Sequence, residues 1–416
     1  MKHHYDMLRA LAGLVAIHSV SLAGTPEEPF GSGAREALEY TLSLCRRLGF
    51  RTKNCSNQVG WAEIGSGETL IGILVHLDVV PAGDGWTYPP FACTEDNGRL
   101  YGRGTLDDKG PAVAAIFAMR DLLQSGAALN KRIRIIFGLS EERGTWPDME
   151  FYRATQELPA YGFTPDAEFP VLCGEKGIAR VRASVPLAGS GVTRLSGGQA
   201  VNMVPSRCTA VVDGQTVEAD GVCAHGSTPE EGKNAIAVLM ERLAELPVAQ
   251  FYHRCLRGLH GEGLDCALED AESGPLTLNV GTVRTEGGRI SFTLDIRYPV
   301  TCTMEQVQTR LTRVLEAEGA EVEVLSYQAP VHLDKNGPLI STLMAAYQEV
   351  TGDRTSQPGI IGGGTYAKAM DNIAVFGPVL PGHPATEHQA DEYIEKEDFF
   401  LLRTLYRTAL EKLLAL

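Results

Sequence analysis

The chain is short of positive charge, of paired cysteines and of long apolar runs, and each shortage argues against a class of function. Against 52 Asp and Glu stand only 37 Lys and Arg, a formal net charge of -15. That sign argues against nucleic acid or an anionic membrane surface as partner. Nine cysteines are scattered singly from Cys45 to Cys302, with no C-x-x-C pair. The odd, unpaired set argues against a disulfide framework and for buried, reduced thiols in the cytoplasm. No run reaches the ~20 apolar residues of a membrane span. Lys2, His3, His4 and Arg9 near an apolar stretch resemble a weak signal peptide, but Gly13 and His18 interrupt the stretch and no A-x-A site closes it. Leu8, Leu11, Leu14 and Val15 recur at helical spacing, which predicts an amphipathic helix. Internal repeats and low-complexity tracts are absent.

What is present is an ordinary globular composition, 44% hydrophobic and 21% charged, in 416 residues. That length predicts two domains. Strand-like and helix-like segments alternate over residues 1–180. Thr69 to Val75 is a continuous apolar run, as expected of a strand buried on both faces. Pro111 to Leu123 reads as a helix with proline in its first turn, and Ile133 to Phe137 as a second buried strand. The middle differs. A strand at Ala179–Pro186, a helix at Gly232–Leu246, paired strands at Leu276–Thr282 and Arg289–Ile296, a helix at Met304–Glu316 and a strand at Glu321–Ser326 follow one another. This β-αββαβ order is of the ferredoxin-like kind. The α/β pattern returns with a helix at Pro338–Val350, a strand at Ile373–Gly377 and a terminal helix at Phe399–Leu413. The middle unit therefore reads as an insertion into an α/β domain.

Candidate ligands sit just past the predicted strands or in loops between elements. His76 and Asp78 follow the first buried run; Asp107 lies in a glycine-bracketed turn, Gly102 to Gly110; Glu141 and Glu142 follow the second. Histidine nitrogens and carboxylate oxygens together suit a hard or borderline metal ion. The carboxyl ends of strands in an open α/β sheet are where ligands bind. Each residue alone has a plainer reading. His76 is otherwise a core histidine, Glu141 and Glu142 a solvated loop, and Asp108 a helix cap. Asp166 after Pro165 is an ordinary turn residue. His388 competes with His383.

The motifs together resemble the M20 family of metallopeptidases, in its dipeptidase branch. The resemblance rests on Val75-His76-Leu77-Asp78, Gly104-Thr105-Leu106-Asp107-Asp108-Lys109-Gly110, Ser140-Glu141-Glu142, Pro165-Asp166-Ala167-Glu168, Gly174-Glu175-Lys176-Gly177, Asp295-Ile296-Arg297 and His388-Gln389-Ala390-Asp391-Glu392-Tyr393, in that order. It implies two divalent ions, zinc first, with manganese or cobalt also suited to the ligand set. His76 and Asp166 would hold one ion and His388 and Glu142 the other, with Asp107 bridging. Glu141 would be the general base for a metal-bridging water. Asp78 would orient His76 through its carboxylate. On the insert, His225 would polarise the scissile carbonyl, and Asn202 and Arg297 would meet the substrate. Arg297 suits a bidentate grip on a free C-terminal carboxylate. The backbone of Gly363 and Gly364 would approach a substrate carboxylate.

The expected architecture is an α/β catalytic domain with a central, mostly parallel sheet, residues 1–181 and 329–416, and an inserted ferredoxin-like α+β lid, residues 182–328. The expected reaction is hydrolysis of a dipeptide, with lid closure placing His225 and Arg297. The expected partner is a small peptide substrate, and the protein a monomer or homodimer. Alternatives are an N-acyl-amino-acid deacylase or desuccinylase of the same family, or a non-catalytic metal-bound binding protein. Two features depart from the resemblance. The insert is shorter than in monomeric dipeptidases of this branch, and Arg143-Gly144-Thr145-Trp146-Pro147 differs from the expected context.

Overall fold

Every residue of the strand Leu70–His76 is buried, and its place in the sheet explains why. Arg132–Gly138 pairs with it in parallel on one side and Tyr161–Thr164 on the other, so both edges are closed by strands. Ile373–Val375 extends the parallel set beyond Tyr161–Thr164. The hairpin Arg51–Cys55 and Val59–Gly65 adds two antiparallel strands outside Arg132–Gly138. The sheet is mixed, with parallel pairing confined to its centre. The helix Lys109–Gln124 packs on Leu70–His76 and on Arg132–Gly138. It is buried on nearly all sides from Lys109 to Arg120, as a helix apolar all round must be. The terminal helix Lys396–Leu414 packs against it.

The computed structural model describes residues 2–126 and 129–416. It divides into two units. The first comprises Met1–Cys173, Leu333–Gly359 and Thr365–Leu416; the second comprises Gly174–His332 and Ile360–Gly364. The division differs from the expected one at 181/182 because the strand Gly177–Pro186 runs unbroken through the second unit's sheet. Ile360–Gly364, expected in the catalytic domain, joins the second unit through bonds from the Lys176 N–H to the Ile361 carbonyl (2.9 Å) and from Arg297 Nη1 to the Gly362 carbonyl (2.9 Å).

The second unit is a seven-stranded antiparallel sheet. Four strands, Gly177–Pro186, Thr277–Glu286, Arg289–Tyr298 and Glu321–Gln328, lie in the spatial order fourth, first, third, second. That is the ferredoxin-like order, with the helix Met304–Ala317 as its second crossover. Three further strands, Arg194–Gly197, Arg207–Val212 and Gln215–Asp220, extend the sheet beyond Thr277–Glu286. The predicted helix Gly232–Leu246 is shorter, Ala235–Arg242, because the Asn234 side chain caps it by accepting the N–H groups of Ile236 and Ala237. A second helix, Pro247–Cys255, follows at once. All nine cysteines are free thiols. No helix among the described residues is long and apolar enough to cross a membrane.

Close packing at the carboxyl end of the central sheet sets a testable constraint. Gly138 ends its strand beside His76, and a Cβ there would lie 2.2 Å from the Tyr366 hydroxyl oxygen. Tyr366 is itself fully buried and cannot move freely. Gly138→Ala is expected to destabilise the protein by about 1–3 kcal/mol through overpacking. Denaturant unfolding of the variant against wild type measures it, and an unchanged midpoint would show that the ring yields.

Candidate metal centre

His76 is the last residue of its strand, so the sheet aims its ring past the strand end. Its Nδ1 lies 2.9 Å from the Asp78 main-chain oxygen. A carbonyl only accepts, so Nδ1 carries a proton and Nε2 faces the acidic cluster. The Asp78 carboxylate does more than expected. It stands 3.5 Å from Nδ1, and its two oxygens accept the N–H groups of Glu141 (3.2 Å) and Glu142 (3.1 Å). Asp78 thus orients the ring through its backbone and holds the Glu141–Glu142 turn through its side chain.

Asp107 and Asp108 separate cleanly in role. Asp107 places one oxygen 2.8 Å from His76 Nε2 and the other 3.1 Å from His388 Nε2. Asp108 precedes the helix Lys109–Gln124 but makes no side-chain cap. Instead its carboxylate accepts the His76 N–H (3.1 Å), which corrects the helix-cap reading. The two residues are joined by a cis peptide bond.

Glu141 and Glu142 occupy a single helical turn, Glu141–Arg143. Behind it, the buried Asp148 carboxylate accepts the N–H groups of Leu139 (2.7 Å) and Ser140 (3.0 Å) and the Ser140 hydroxyl (2.8 Å). The Tyr366 hydroxyl donates to the same carboxylate. The unexpected stretch 143–147 contributes Trp146, whose Nε1–H donates to the Glu141 carbonyl (3.1 Å) and whose ring meets Tyr366 edge-on at 5.5 Å. Sequence reasoning missed Asp148, Tyr366 and Trp146, because they touch the turn rather than the cluster. Asp166 follows the strand Tyr161–Thr164 and reaches within 3.5 Å of His76 Nε2. His388 sits in a loop at φ 62°, a conformation unusual outside glycine, and its Nε2 is 3.0 Å from Glu142. His383 is paired with Asp398 at 2.7 Å instead.

Seven predicted residues of the first unit therefore meet. Two subsets, His76–Asp107–Glu142 and His76–Glu141–Asp166, bring ligand atoms within 4.8 Å of one another. Burial, and then the charge of Asp166, holds the Glu141 carboxyl well above the usual carboxylate range. Burial likewise lifts Asp166 to about 7 and raises Glu142. Burial alone would depress the two imidazoles; neighbouring carboxylates outweigh it, chiefly Asp166 and Asp107 at His76 and Asp107 and Glu142 at His388. Asp107, between two imidazoles, is held below its usual value despite its burial. Half-buried acids in contact, with imidazole nitrogens among them, form a donor set whose crowding divalent cations would relieve. The set fits two such ions, which His76, Asp107, Asp166, Glu142 and His388 would hold.

The predicted substrate contacts lie on the second unit. His225 Nδ1 is 2.6 Å from the Ser227 hydroxyl. Next to it, Gly226 donates its N–H to the Asn202 carbonyl (2.7 Å). Arg297 is buried, its Nε and Nη2 on the Asp295 carboxylate (3.0 and 2.8 Å) and its Nη1 on the Gly362 carbonyl. Three of its five N–H groups are thus bound within the unit, leaving one on each terminal nitrogen. Gly363 and Gly364 follow Gly362 in the segment Ile360–Gly364 of the same unit.

Comparison with known proteins agrees in sequence and in fold. The family model for peptidase family M20/M25/M40 matches residues 72–412. A Bacillus subtilis (strain 168) protein named "Putative dipeptidase YtjP" is 34% identical, covering 98% of this chain and 97% of its own. Human carnosine dipeptidase 1 has a similar structure, with a TM-score of 0.66 at 18% identity, over 100% of this chain and 97% of that one. The Bacillus subtilis YXEP protein, described as a dinuclear metal-binding peptidase, superposes with a TM-score of 0.59 at 11% identity, over 100% of this chain and 99% of that one.

Proposed function

This chain belongs to peptidase family M20/M25/M40, and from that premise we propose that it is a metal-dependent dipeptidase acting on dipeptides with a free C-terminal carboxylate. The observation that carries this reading is Asp107, whose two oxygens divide between His76 and His388, with Glu141 beside them. Dipeptidase names among the relatives support the substrate class. His76, Asp107 and Asp166 would hold one divalent ion, and His388, Asp107 and Glu142 the other. Such ions supply Lewis acidity to a carbonyl and lower the pKa of a water. Zinc suits the ligand set first, with manganese and cobalt close behind.

Glu141 is the proton carrier. Its carboxylate takes a proton from the attacking water and later delivers that proton to the nitrogen of the leaving amine. Its backbone is pinned at both ends, the N–H by Asp78 and the carbonyl by Trp146. Asn202, His225 and Arg297 of the second unit, with the backbone of Gly363 and Gly364, carry the substrate contacts in this reading.

A substrate panel tests it. Metal-free protein reconstituted with Zn²⁺, Mn²⁺ or Co²⁺ is assayed on dipeptides and on N-acetyl and N-succinyl amino acids. Dipeptides are expected to show kcat/KM at least about tenfold higher, roughly 1.4 kcal/mol of transition-state discrimination. Preference for the acyl amino acids would make the protein a deacylase of the same family.

A further inference from the structure

Glu392 is fully buried, yet the arrangement above gives it no role. Its Oε1 accepts three main-chain N–H groups, those of Gly104 (2.9 Å), Leu106 (2.9 Å) and Asp107 (3.2 Å). Its Oε2 accepts Arg103 Nη1 at 2.7 Å. Its own carbonyl accepts the Gly102 N–H at 2.8 Å. The whole turn that presents Asp107 is thus wrapped around one carboxylate. Gly104 makes this possible, since φ +87° there lets its own N–H converge with those of Leu106 and Asp107. Glu392 lies four residues after His388, in the same loop. Its neighbour Asp391 anchors that loop by accepting the N–H groups of Thr87 (2.8 Å) and Tyr88 (3.2 Å).

We propose that Glu392 is the positioning residue for the Asp107 carboxylate, tying the Asp107 turn to the His388 loop so that one aspartate serves both imidazoles. The inference rests on the metal-dependent reading above. Three convergent donors on one oxygen suit an anion, and the Arg103 guanidinium balances its charge. Glutamine at 392 keeps the shape but loses the charge and, with its oxygen toward the turn, aims an N–H₂ group at Arg103. Aspartate keeps the charge but withdraws it by one methylene. Either change releases the turn, and with it the division of Asp107 between His76 and His388.

The test is metal uptake by the full chain. Metal-free wild type, Glu392→Gln, Glu392→Asp and Arg103→Gln are titrated with Co²⁺, following bound metal by mass spectrometry and the visible d–d absorption of the bound ion. Wild type is expected to take up two Co²⁺. Glu392→Gln, with an unchanged far-UV circular dichroism spectrum, is expected to bind the second at least tenfold more weakly and with an altered absorption band. Arg103→Gln keeps the three main-chain bonds and is expected to show a smaller weakening in the same direction. Glu392→Asp is expected to fall between wild type and Glu392→Gln. Two Co²⁺ bound to Glu392→Gln with wild-type affinity and spectrum would overturn the assignment alone. If Glu392→Gln does not fold, Arg103→Gln decides, and wild-type affinity and spectrum there overturn it. A wild type that takes up no Co²⁺ overturns the metal reading and the assignment with it.

Discussion

Glu141→Gln is expected to lower kcat for dipeptide hydrolysis by ~10²–10⁴-fold, the usual worth of a positioned general base. Glutamine fills the same volume and cannot take a proton from water. The variant should otherwise be nearly wild type. The turn is held by its backbone, through the Asp78 carboxylate and the Trp146 indole, and those bonds survive the change. KM is therefore expected to stay within a few-fold, and both metals to remain bound, because Glu141 is not one of the proposed ligands. A fall in kcat and kcat/KM together at constant KM is the signature of a group needed only in the transition state. Steady-state kinetics with metal analysis on the same sample decides it. A variant that keeps two metals and most of its turnover would remove Glu141 from the chemistry. A variant that loses metal would instead make Glu141 a ligand, as the close approach of Glu141, His76 and Asp166 permits.

Asp107→Ala is expected to cost a comparable factor or more, because it strips the contact shared by His76 and His388. Loss of Lewis-acid assistance, several kcal/mol of transition-state stabilisation, corresponds to about 10³-fold or more in rate. Dialysis of wild type against a chelator should produce the same loss. The two differ on repair: Zn²⁺, Mn²⁺ or Co²⁺ should restore the dialysed wild type and leave Asp107→Ala inactive. The pH dependence has a definite sign. In the metal-free chain His76 and His388 are raised above their usual values by neighbouring carboxylates, which favours their protonated forms. A metal must displace those protons, so apparent affinity rises with pH and metal uptake releases protons to the buffer. Calorimetric titration in two buffers of different ionisation enthalpy counts them. Metal uptake without proton release would mean that the imidazoles are not ligands.

The sequence was most legible where one kind of physics acts locally. Leu70–His76 and Arg132–Gly138 lie at the centre of the sheet and are almost wholly buried, and the apolar residues that dominate them read as buried strands. It was least legible where strands are polar. Arg51–Cys55 and Gln215–Asp220 lie at sheet edges, are largely solvent-facing, and carry no continuous apolar run to mark them. The helix Pro247–Cys255 escaped because it is short and follows another helix directly. The candidate site divides in the same way. His76, Asp107, Glu141, Glu142, Asp166 and His388 stand out as residue types that bind metals, placed after strands or in recognisable loops.

What the sequence by itself determined was the inventory and its order: which side chains can bind a metal or move a proton, and which buried strands end beside them. Only the tertiary structure decided how those side chains share the work. It gave the Asp78 carboxylate the Glu141–Glu142 turn to hold as well as a place beside His76, turned Asp108 onto a backbone N–H, and buried Glu392 in the turn that carries Asp107. The physical reason is range. Burial and strand periodicity arise between near neighbours along the chain. These hydrogen bonds join loops 32 to 288 residues apart, and their pairing exists only once the sheet has brought the strand ends together.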